Sequence, residues 1–169
     1  MGLTQTKLRS ILAQILSLNE SAVIPMQGNF FNPQESNSSS STWCGFWTKH
    51  TSSKAVQYFT QIHNVDNPPV SSVQKVSTVG LQFIGRDAEF AAEMTAHWPY
   101  RQDVIELFGE IGCVMFMNSG DIVTSQIDQP GGNSTLAYNV EIKLQWVSEV
   151  QTIQTKVDSI EVSGDIVVP

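Results

Sequence analysis

The apolar positions along this chain follow two periods, and the changes between them mark out its elements. Leu8, Ile11, Leu12, Ile15 and Leu16 recur at three- and four-residue steps, with Lys7, Arg9 and Gln14 on other faces. That is the spacing of an amphipathic helix. Thr4 stands where a hydroxyl can accept from the free N–H groups of the first turn, and the pattern closes near Asn19. From 21 to 42 periodicity fails. Pro25, Gly28, Asn29, Asn32 and Pro33 interrupt this stretch, and SNSSSST at 36–42 offers no apolar area to bury. A mobile loop is expected at about 29–42, carrying the adjacent aromatics Phe30 and Phe31.

Period two takes over beyond it. WCGFWT at 43–48 and AVQYFTQIH at 55–63 are rich in aromatic and β-branched residues and read as strands. Asp66, Asn67, Pro68 and Pro69 form a stiff connector. Across 72–84, Val73, Lys75, Ser77, Val79, Leu81 and Phe83 share one face of a long strand, and Gln74, Val76, Thr78, Gly80, Gln82 and Ile84 share the other. LQFIGRDAEFAAEM at 81–94 then turns strand into helix through Gly85, with Asp87 as the expected cap. Phe90, Ala91, Met94 and Trp98 form the helix's expected apolar side, while Ala88, Ala92 and Ala96 allow close approach to a neighbour.

Pro99 ends that helix, because the residue before a proline is pushed out of helical geometry, and it starts a second one. There Val104, Leu107, Phe108 and Ile111 face inward, with Asp103, Glu106 and Glu110 outward. Strands are expected at 113–117, 122–127 and 135–147. In the last, Val140, Ile142, Leu144 and Trp146 alternate with Glu141, Lys143 and Gln145. A closing β segment holds Ile160, Val162 and Ile166. Segregated elements of this kind predict an α+β fold in one domain over 1–169. Its sheet is largely antiparallel, and its amino-terminal helix and two consecutive central helices pack on one face.

Charge narrows the function. The 169 residues carry a formal charge of -7, with sixteen acidic residues against nine dispersed basic ones. Nucleic-acid binders concentrate Lys and Arg to displace counterions from phosphates, so specific DNA binding is disfavoured. An acidic surface past which DNA slides fits the same charge. Cys44 and Cys113 form no CxxC pair and read as buried reduced thiols. No apolar run reaches the ~20 residues of a membrane-spanning helix, which predicts a soluble product without a membrane partner.

The usual chemistries find no footing. Gly85 is a lone glycine followed by Arg86 and Asp87, whereas a phosphate loop needs several glycines in one turn. His50, His63 and His97 lack metal-ligand spacing, and there is no GxSxG elbow for a nucleophile. The sequence therefore predicts no enzyme, no catalytic residues, no cofactor and no metal.

The run VSTVGLQFIGRDAEFAAEMTAHW, a second short helix, NVEIKLQWVSEV and the closing DSIEVSGDIV together resemble the tail-terminator (neck-terminator) proteins of tailed bacteriophages. The resemblance covers about 73–167, with Gln82 and Gly85 its best-matched positions. It implies a structural virion protein of the neck, made in the host cytoplasm. The protein would form a homo-oligomeric ring, commonly a hexamer, that ends tube polymerisation. The implied partners are further copies of the chain, the tail tube protein, the head–tail connector and, in the widest reading, the tail sheath, with DNA passing through unbound. Phe30, Phe31, Arg86, Glu141, Lys143 and Gln145 are the candidate interface residues. Two alternatives stand beside it: a head–tail joining protein of the same neck, and a small ligand- or peptide-binding module using the aromatic strand 43–47.

Overall fold

The computed structural model describes residues 3–26, 41–54, 70–118, 121–128 and 134–151. The expected strand at 55–63, the closing β segment, Phe30 and Phe31 lie outside them. The described chain is α+β: α1 (Gln5–Leu16), β1 (Val23–Pro25), β2 (Trp43–Lys54), β3 (Val70–Ile84), α2 (Ala88–Thr95), α3 (Gln102–Glu110), β4 (Cys113–Asn118), β5 (Val123–Asp128) and β6 (Ser134–Gln151). Among the described residues six strands form one sheet in the order β1-β2-β3-β6-β4, with β5 also on β6. Only the β1/β2 pair is parallel; the rest are antiparallel. β1 falls inside 21–42, where no strand is expected from the pattern. Three residues are too few to show a period, and the parallel pairing with Cys44–Phe46 supplies what the sequence lacks.

α1 forms as its spacing predicts. Thr4 Oγ1 accepts from the Lys7 N–H. The helix stops at Leu16 because Ser17 turns left-handed (φ 52°). Ser17 N–H then donates to Gln14 O and Leu18 N–H to Ala13 O, which satisfies carbonyls that a helix end would leave unpaired. Leu8, Ile11, Leu12 and Ile15 are buried on the sheet, and each such side chain is worth about 1.5–3 kcal/mol.

The core lies between the helices and one sheet face. Cys44 and Phe46 of β2, Val79, Leu81 and Phe83 of β3, Val140, Ile142 and Leu144 of β6, and Cys113 and Met115 of β4 meet the α1 stripe, Trp98, Val104 and Phe108 there. The two long strands keep the predicted alternation, with odd positions of β3 and even positions of β6 inward.

α2 is turned differently from expectation. Its buried residues are Ala88, Ala92 and Thr95, while Phe90 is 65% exposed. Both faces of this helix are apolar, so composition alone does not choose between them. The small face lets the helix axis lie close to β3 and β6, and Thr95 Oγ1 satisfies itself on Ala92 O at 2.7 Å. Asp87 occupies the cap position without a side-chain capping bond. Its own N–H donates instead to Thr42 Oγ1 at 3.2 Å. Pro99 opens a single 3-10 turn, Trp98–Tyr100, rather than the second helix. That helix begins at Gln102 and runs through Gly109 to Glu110, with Gly112 (φ 72°) turning the chain into β4.

Gly85 is a joint where only glycine fits. Its φ is 117°, and an added Cβ would stand 2.2 Å from the carbonyl oxygen of Ser41. The end of the Ser-rich tract therefore packs against the turn from β3 to α2.

Candidate functional site

The sheet face turned away from the helices carries the sequence-predicted positions of β6. Glu141, Lys143 and Gln145 share that face and are half-buried. Glu141 forms an ion pair with Lys49 of β2, reaching across β3. Arg86 stands exposed on the turn after Gly85, away from that face, so the structure groups the three β6 residues and leaves Arg86 apart. β6 has β3 on one edge from Ala137 to Gln151, and β5 and β4 on the other. Across 137–146 a neighbour could therefore meet the side chains of β6, but its backbone edges are occupied apart from a gap at 140–141 between β5 and β4.

Three features of this face are absent from the predicted set. The first is Trp47, which lies opposite Gly80 on β3. A Cβ at Gly80 would stand 2.5 Å from the Trp47 ring, so the indole covers the strand because the glycine leaves room. The second is a polar chain: Gln82 Nε2 donates to Asn139 Oδ1 at 2.9 Å. Asn139 Nδ2 donates to Val123 O at 3.0 Å and Ser125 Oγ at 2.9 Å. These bonds fix both amides, because turning Asn139 over would set its oxygen against the Val123 carbonyl. The third follows from this. Gln82 Oε1 and Trp47 Nε1 are buried without hydrogen-bond partners, one an acceptor and the other a donor. The tryptophan–glycine pairing could have been found in sequence only with the register of β2 on β3 in hand.

Trp43 is tied locally, its Nε1–H donating to Ser41 Oγ at 3.1 Å.

The helical side presents a different surface. Asp87, Glu89, Glu93, Asp103, Glu106 and Glu110 are exposed, which makes the outer layer acidic. Asp103 accepts from Arg101, and that hydrogen bond holds its carboxyl below the usual range. Tyr138 is raised, first by desolvation and then by Glu89, whose carboxylate accepts from its hydroxyl at 3.4 Å. A groove of about 350 Å³ runs between the end of α1 and α2, lined by Ile15, Leu18, Phe90, Met94 and Trp98, with Asp87 and Arg101 on its walls.

Cys44 and Cys113 are both free and buried. Burial raises the Cys44 thiol strongly and pushes Cys113 up to about 11, with Lys7 opposing weakly at Cys113. Neither is a poised nucleophile, since the reactive form is the thiolate. Among the described residues no cluster of three His, Cys, Asp or Glu could hold a metal ion, and no helix is long and apolar enough to cross a membrane.

No protein-family model matches this chain, and no curated protein matches it.

Proposed function

We propose that this chain is a structural subunit of a phage neck: a tail terminator that forms a homo-oligomeric ring, ends tube polymerisation and joins the tail to the head connector. The observation that carries the reading is strand length. β2, β3 and β6 run for 12, 15 and 18 residues, where strands of about 5–6 are usual. Among the described residues three helices of 12, 8 and 9 residues cover only part of such a sheet. The remainder forms a ribbon with side chains on two faces, and such surface is of use to an assembling subunit. The acidic helical layer also suits a channel component that must not hold DNA.

The test is mass measurement in solution with electron microscopy of the purified protein, followed by its addition to polymerising tail-tube subunits. Closed rings that cap tubes and shorten their length distribution are the expected result. A persistent monomer with no effect on tube length would overturn the proposal.

A second reading, a small ligand-binding module, has the groove between α1 and α2 in its favour, whose volume lies in the range of ligand sites. Saturable binding of a small molecule by a monomer, lost in Met94→Lys, is what that reading requires.

A further inference from the structure

The ends of the sheet bear on how copies of this chain would meet. Among the described residues, β2 has a strand on its outer side only at Cys44–Phe46, where β1 lies. Residues 49–54 continue with that side open. Among the described residues β5 pairs with β6 alone, and nothing described lies along its outer side over Val123–Asp128. Open edges of this kind are templates for pairing with another chain unless they are blunted, and here both run for six residues.

We infer that β2 residues 49–54 of one copy pair with β5 of the next, extending the sheet head to tail between subunits. This rests on the ring reading above and specifies its interface. Four features of the fold support the match. The first is polarity. β2 is antiparallel to β3, β3 to β6 and β6 to β5, so β2 and β5 run in opposite directions. Copies standing the same way up, as in a ring built on one heterologous contact, therefore meet in an antiparallel pair.

The second feature is side-chain parity. Ser52 pairs with Val76 and through it with Gln145, on the helix-free face. Ser125 pairs with Ala137, on that same face. Full antiparallel overlap of 49–54 with 123–128 sets Ser52 opposite Ser125 and Thr51 opposite Gln126. Each pair then falls on one face, whereas a shift by a single residue would put every pair on opposite faces. The third is exposure, since Thr51 and Ser52 of β2 and Val123, Thr124, Gln126 and Asp128 of β5 are all exposed.

The fourth feature excludes the competing edge, β4. β4 lies at the level of β6 that β2 reaches beyond Thr48. Bringing β2 of a neighbour to β4 would set that neighbour's β1 in the row of strands that β5 fills. Val23 of β1 stands at the level of Tyr138, through Cys44 and Phe83, and Thr124 of β5 already pairs with Tyr138. Pairing with β5 instead staggers the copies by the run from Ala137 to Gln145, about 26 Å at ~3.3 Å per residue, and takes β1 off the level of Val123–Asp128. Closing a sheet on itself requires a stagger between its ends.

The experiment uses the full chain with Thr51→Cys, with Gln126→Cys, and with both. Thr51 and Gln126 are exposed, and the native thiols are buried, so oxidation reports the new pair. An equimolar mixture of the two single variants should give covalent dimers on a non-reducing gel, and neither should do so alone. The double variant should give a ladder ending at the ring. Far-ultraviolet circular dichroism matching the unsubstituted chain establishes that each variant folds. Rings that form without a mixed cross-link would overturn this interface and leave the ring reading standing. Absence of any assembly of the unsubstituted chain would overturn both. A cross-link within either single variant, in place of the mixed one, would mean like edges meet and would also overturn the assignment.

Discussion

The two ends of the sheet are built on different terms. At one end Phe46, Val79, Leu81, Phe83, Val140 and Ile142 lie under α1, α2 and the Trp98 turn, each buried. At the other, Val73, Lys75 and Trp146 continue the same rows of β3 and β6 while only half-buried, and Lys75 holds its ammonium 4.9 Å from the Trp146 ring. Ser77 marks the border: it is 1% exposed, accepts from Trp146 Nε1 at 3.0 Å, and stands 3.0 Å from Thr51 Oγ1. Hydrophobic burial thus gives way along one strand to hydrogen bonds and a cation over an aromatic face. The covered end supplies stability, and the ribbon supplies surface. Substitutions should separate the two.

The largest effect is expected where the helical layer meets the sheet. Trp98→Ala removes the largest fully buried side chain and should destabilise the fold by about 3–5 kcal/mol in denaturant titration. Gly85→Ala should follow at about 3 kcal/mol, combining backbone strain with overlap on Ser41. Unchanged stability there would mean that the joint yields and that the compact end is looser than its contacts imply. Deleting 36–40 should be tolerated far better than deleting 36–42, because Ser41 and Thr42 belong to the joint.

At the border, Ser77→Ala leaves the Trp146 N–H without its acceptor and should cost about 1–2 kcal/mol. Replacement by Thr, which keeps a hydroxyl, should recover part of that loss. Alkali tests the covered end in another way. Burial holds both thiols neutral in the fold, while an unfolded chain loses those protons near ~8.5. Their contribution is therefore complete below that value and is lost as pH rises toward the folded-state values, about 11 for Cys113. Stability should fall by about 1.5 kcal/mol between roughly pH 7 and 9, and a Cys44→Ala, Cys113→Ala variant should show a smaller slope. The smallest effect belongs to the ribbon. Lys49→Ala breaks an exposed ion pair with Glu141 and should change monomer stability by under ~1 kcal/mol. Denaturant titration at low and at high salt should show that difference shrink as salt rises.

This division explains what the sequence could and could not reveal. Rows that alternate between core and solvent were legible: the faces of β3 and β6, the stripe of α1 and its Thr4 cap follow from spacing alone. α2 was not, because Phe90 and Met94 on one side and three alanines on the other are both apolar, and close approach to the sheet decides between them. The cap at Asp87 was legible as a position but not as a bond, since Thr42, 45 residues earlier, supplies the oxygen. The candidate surface was legible only as residues of β6. Its other members, Trp47, Gln82 and Asn139, depend on the register between distant strands, which no local pattern records.

The same long-range register has a consequence for how the chain comes to be folded. Gln82 and Asn139 are 57 residues apart in the chain, and Ser77 and Trp146 are 69 apart. The middle of the sheet therefore cannot close until β6 has been made, after both central helices. During synthesis β3 has only β2 beside it, with its other edge bare through the whole of α2, α3, β4 and β5. Contacts of such separation fold slowly, and a long edge left waiting is open to other chains. A protein made this way gains from prompt pairing, and the last strand to emerge is the one that turns a sticky intermediate into a finished sheet.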